Sequence, residues 1–101
     1  MARIVVEISD YNGRGRSYGV YCPACKHAHI YDSRWTFNGN FEKPTFTPSM
    51  VEWCSHPETK EDLSRCHTFL TDGVWNFLSD CKHDMKDSKH PVVPFPESYN
   101  I

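Results

Sequence analysis

The Cys22-Pro23-Ala24-Cys25 knuckle, followed far along the chain by Cys66 and Cys81, constrains this protein more than any other feature. Two thiols separated by two residues can hold one metal ion from a single tight turn, and a distant second pair can close the tetrahedron. A chain of 101 residues builds one modest core, so such a clamp adds much to its stability. The five cysteines are an odd number, which argues against a complete disulfide framework. In a reducing compartment, clustered cysteines are metal ligands by default. Zinc is the expected cofactor.

Composition sets the class. Hydrophobic residues at 39% and charged residues at 24% describe a globular chain rather than a disordered one. Aromatics reach 14%, so Trp35, Trp53 and Trp75 are expected in the core. The net charge of −2 exerts no global pull towards nucleic acid or anionic membrane. No apolar run approaches the roughly 18–20 residues that cross a bilayer. The opening segment is interrupted by Glu7 and lacks the apolar stretch of a signal peptide. The expectation is one cytoplasmic domain spanning residues 1–101.

Period-two patterns dominate. Ile4, Val6 and Ile8 alternate along a first strand, and Ser17 to Tyr21 forms a second that runs into the knuckle. His27 to Tyr31 reads as a third strand with both histidines on one face. Asn38-Gly39 suggests a hairpin between Trp35–Phe37 and Asn40–Glu42, and Asp72-Gly73 a stronger one between Cys66–Thr71 and Val74–Ser79. Pro44 to Ser49 is expected to be irregular or an edge, since proline donates no ladder hydrogen bond. Met50 to Cys54 can form another strand, and His56 to Arg65 reads as a polar surface loop. A short turn is expected over His83 to Ser88, and an extended stretch over Pro91 to Pro96. The expected fold is mainly β, with a small α+β arrangement as the alternative: a compact domain of short antiparallel strands and hairpins around a zinc-ribbon-like site.

Hairpin register selects the ligands. With Asp72 and Gly73 as the loop, Leu70 faces Trp75 and Cys66 faces Ser79. Cys81 lies two residues past Ser79 and shares the face of Cys66, whereas His67 has the opposite parity. Cys22, Cys25, Cys66 and Cys81 are therefore the expected metal ligands. His29, His67, His83 and Asp80 stand close by in sequence as alternative ligands or as hydrogen-bonding neighbours of the site. Four reduced, metal-free cysteines, or a redox-active knuckle, are competing readings. The redox one is weakened because strand, rather than helix, follows Cys25. Cys54 and His56 form a further pair at the edge of a polar loop.

The ordered set Cys22-Pro23-Ala24-Cys25, His29, Trp35, Asn38-Gly39, Pro44-Thr45-Phe46-Thr47-Pro48-Ser49, Cys66-His67-Thr68-Phe69, Asp72-Gly73 and Asp80-Cys81-Lys82-His83 resembles a family of small phage and prophage proteins, some labelled ammonia monooxygenase. The resemblance implies a compact zinc-binding fold and carries over Cys22, Cys25, His29, Cys66, His67, Asp80, Cys81 and His83 as motif positions. Met85-Lys86-Asp87-Ser88 lacks the glycine with which family members close the last motif.

Three functions compete. A closed four-ligand site has no open position for substrate, which favours a non-enzymatic zinc module that binds a host or phage protein. A zinc-dependent hydrolase or nuclease would instead use His29, His67 and His83, with Asp80 as base or orienter. Nucleic-acid binding would rest on Arg14 and Arg16 among Tyr11, Tyr18 and Tyr21, opposed by the neighbouring Glu7 and Asp10.

Overall fold

The structure, a computed structural model, describes residues 3–10, 13, 15–53, 65–81 and 85–99. Among the described residues eight strands run in chain order: β1 (Val5–Ile8), β2 (Ser17–Cys22), β3 (His27–Tyr31), β4 (Thr36–Phe37), β5 (Phe46–Trp53), β6 (Arg65–Thr71), β7 (Val74–Phe77) and β8 (Ser88–Pro91). They form two antiparallel meanders, a three-stranded sheet β1-β2-β3 and a five-stranded sheet β4-β5-β6-β7-β8. Among the described residues no helix is long and apolar enough to cross a membrane.

Alternation decides which residues the sheets share. On β6, Cys66, Thr68 and Leu70 are buried, while Arg65, His67 and Phe69 lie on the other side. Trp75 and Phe77 continue the inner face on β7, as the pairings Leu70–Trp75 and Thr68–Phe77 require. The three-stranded sheet answers with Tyr18, Val20 and Cys22 from β2, and with His29 and Tyr31 from β3. Phe46 stacks on Tyr31 at 4.1 Å and on Phe37 at 4.6 Å, and the His29 ring meets Trp75 edge-on at 5.1 Å. The Phe46–Tyr31 and His29–Trp75 contacts link one sheet to the other.

Several expectations meet the coordinates here. The Asp72-Gly73 hairpin has the expected register, with Thr71 opposite Val74 and Leu70 opposite Trp75. Gly73 has φ +75°, and a Cβ there would stand 2.9 Å from Lys43 Cα, so both conformation and space require glycine. The Asn38-Gly39 hairpin does not form. Thr36 and Phe37 pair with Thr47 and Phe46 instead, because Asn38 and Asn40 spend their side chains on Lys43 and on local backbone groups. Phe46 to Ser49 belongs to a strand despite Pro48, which sits where the β5–β6 register shifts. Met85 to Asp87 form a turn within the segment where one was expected, and Ser88 to Pro91 follow as an edge strand. The segment from Cys54 to Ser64, with His56, lies outside the described residues, as does the side chain of Trp53.

Candidate active site and metal cluster

The register shift in β5 builds the first site. Phe46 pairs with Leu70 and Met50 with Thr68, so Thr47, Pro48 and Ser49 together span the single residue Phe69. Such a bulge re-aims a side chain that a regular ladder would hold elsewhere. Here it brings Ser49 to the outer face, beside His67. Ser49 Oγ lies 3.1 Å from His67 Nε2. The Trp35 indole N–H donates to the Ser49 carbonyl at 3.4 Å and ties the bulge to the loop before β4.

The opposite edge of the His67 ring is also engaged. Nδ1 lies 3.1 and 3.0 Å from the two carboxylate oxygens of Asp80, which follows β7. Asp80 lies below its ordinary carboxylate range, chiefly through the His67 hydrogen bond and also through the charge of Arg65, whose guanidinium stands 3.6 Å away. An ionised carboxylate only accepts, so the ring proton belongs on Nδ1, and Nε2 is left to accept from the Ser49 hydroxyl. Hydroxyl, imidazole and carboxylate thus stand in series on one partly exposed surface. Sequence reasoning singled out His67 and Asp80 but not Ser49. Its one signal was the prolines at 44 and 48, which mark the strand around it as irregular.

The second site lies beneath it, on the buried side of the same strand. Ligand atoms of Cys22, Cys25, His29 and Cys66 all lie within 4.8 Å of one another, and all four residues are buried. The knuckle turn is closed by Lys26 N–H donating to the Cys22 carbonyl at 2.7 Å and Cys25 N–H donating to Cys22 Sγ at 3.4 Å. Cys25 Sγ and His29 Nε2 are 3.3 Å apart. Cys22 is lowered to about 4 by the hydrogen bond from Cys66, and the Cys66 thiol is pushed up by the same contact and by burial. One thiolate thus shares a proton with its neighbour, a charge state that a bound cation would complete.

Three sulfurs and one imidazole nitrogen suit a tetrahedral divalent ion of borderline softness, the chemistry of zinc. Cys22, Cys66 and Cys81 carry no disulfide, while Cys25 is disulfide-bonded, so the full donor set needs Cys25 reduced. Cys81, expected from the hairpin parity, is not one of these four, but its thiol hydrogen-bonds that of Cys66 and so borders the group. The ladder of β7 ends at Phe77, and Cys81 N–H bonds Leu78 in a turn that carries its sulfur to the backbone of His67. There Cys81 Sγ accepts from His67 N–H and donates to the His67 carbonyl, both at 3.2 Å.

Of the other residues singled out in the sequence, His83 and Arg14 lie outside the described residues. Arg16 is exposed and stands 3.8 Å from Glu7 across the β1–β2 pair.

A family model matches residues 2–78, which include Ser49 and His67, under the description bacterial ubiquitination-like system serine protease. No curated protein and no solved structure matches the chain. The phage and prophage association drawn from the motifs is a finer statement than this match carries. With a match over most of its length, the chain belongs to the BubE family of the bacterial ubiquitination-like system.

Proposed function

We propose that this protein is a serine hydrolase that cleaves peptide or isopeptide bonds within a bacterial ubiquitination-like system, with Ser49 as nucleophile, His67 as general base and acid, and Asp80 as the carboxylate that orients His67. The observation that carries this reading is the unbroken series Ser49–His67–Asp80, at 3.1 and 3.0 Å. The family's printed description supports the reaction class.

In the first step Ser49 Oγ forms a bond to the scissile carbonyl carbon while its proton passes to His67 Nε2. Asp80 stabilises the imidazolium through Nδ1–H. Collapse of the tetrahedral adduct breaks the C–N bond, and His67 returns the proton to the leaving amine. Water, deprotonated by the same nitrogen, then releases the acyl group and restores the hydroxyl. No step draws on the metal.

The cluster of Cys22, Cys25, His29 and Cys66 has a structural role in this reading, holding zinc and so pinning β2 and β3 against β6. A reducing cytoplasm would keep Cys25 as a thiolate for that purpose. The protein partner, host or phage, is then the substrate or its carrier. The expectation of a purely binding module gives the opposite result in the same experiment. A fluorophosphonate probe should label the wild-type chain on Ser49 and leave Ser49→Ala unlabelled. A folded wild-type chain that the probe does not label would overturn the hydrolase reading and favour the binding module.

A further inference from the structure

We propose that Val51 and Phe69 form a substrate-binding surface that selects a large apolar side chain next to the scissile bond, an inference that rests on the serine hydrolase reading above. Strand geometry places both residues around the triad. Val51 on β5 is the direct cross-strand partner of His67, and Phe69 lies two residues beyond His67 on the same face of β6. Phe69 also faces the bulge that carries Ser49. The two side chains therefore bracket the nucleophile and its base along one sheet surface. Val51 and Phe69 are diagonal neighbours across the β5–β6 pair, and such residues lie roughly 7–8 Å apart, within the span of one large side chain.

Val51 is 51% exposed and Phe69 41%, whereas their chain neighbours Met50, Thr68 and Leu70 are buried on the other face. The occupant follows from the chemistry. A carbonyl carbon within reach of Ser49 Oγ must lie over this outer face, because Met50, Cys66, Thr68 and Leu70 fill the inner one. A substrate chain in that position covers Phe69 on one side or Val51 on the other. Charge agrees with an apolar occupant: among the described residues, Arg65 and Asp80 beside His67 face each other at 3.6 Å. A substrate residue that buries both side chains gains binding energy in proportion to the apolar area removed from water.

The test compares the p-nitrophenyl esters of N-acetyl-leucine and N-acetyl-glycine, with Ser49→Ala subtracted as background and fluorophosphonate labelling of Ser49 run in parallel. The expected result is a kcat/KM about tenfold higher for the leucine ester, carried mainly by KM. Phe69→Ser and Val51→Thr, both at exposed positions, should each narrow that ratio severalfold. Equal kcat/KM for the two esters, or a ratio that both variants leave unchanged, overturns the surface while labelled Ser49 keeps the hydrolase reading. No labelling and no Ser49-dependent turnover overturns both.

Discussion

His67 and Asp80 are joined through Nδ1 and Oδ2 at 3.0 Å across thirteen residues of chain, and the backbone of His67 is held by the thiol of Cys81, the residue after Asp80. The imidazole is thus fixed at its ring and at its peptide by two consecutive residues. Its rear neighbour in the chain, Cys66, faces the metal cluster. The Ser49–His67–Asp80 surface and the buried Cys/His cluster lie on opposite faces of one strand, which makes their energetics separable by mutation.

Replacing Ser49 with alanine should remove hydrolysis without unfolding the domain. Ser49 is only partly buried, and its hydroxyl meets His67 rather than the core. In Ser-His-Asp hydrolases loss of the nucleophile costs roughly 10⁶-fold in kcat. The measurement is turnover of an activated ester alongside thermal unfolding. Retained turnover would dismiss Ser49 as nucleophile.

Asp80→Asn should lower kcat by about 10⁴-fold, because an amide no longer fixes the productive tautomer of His67. It should also change how stability responds to acid. The carboxylate lies below its ordinary value in the folded protein, so its contribution is fully present above the unfolded carboxylate range, near pH 4, and is lost as pH falls through the lower folded value. Denaturant unfolding of wild type and Asp80→Asn should therefore differ at pH 7 and converge as pH falls below the ordinary carboxylate range. A gap that widens on acidification would contradict the assignment.

Metal content separates the two ligand sets. The reduced protein should bind one zinc, and Cys22→Ser, Cys66→Ser and His29→Ala should each weaken it and lower Tm. A loss of about 2 kcal/mol moves Tm by roughly 8–16 °C in a domain of this size. Cys81→Ser should retain the metal, because its sulfur serves the His67 backbone. Zinc lost with Cys81→Ser but kept with His29→Ala would restore the four-cysteine set.

Phe46→Ala should cost about 3–5 kcal/mol. Phe46 is 1% exposed and stacked between Tyr31 and Phe37, so its removal opens a cavity at the seam of the two sheets. Chemical denaturation measures the loss, and a change below about 1 kcal/mol would mean that the seam collapses onto the space.

Much of this protein was determined locally. Alternating residues and the Asp72-Gly73 turn specify β6, β7, their register and the opposite parities of Cys66 and His67, because a strand's faces repeat every two residues. The knuckle specifies a thiol pair at one tight turn. Only the tertiary structure decided the rest. His29 joins Cys22, Cys25 and Cys66 in the close group, while the turn after Phe77 sets the Cys81 thiol against the His67 backbone and Cys66. Ser49 acquires a partner only through the β5–β6 bulge, eighteen residues from His67 along the chain. A serine's reactivity resides in its neighbours, and these come from other strands whose pairing no local pattern encodes.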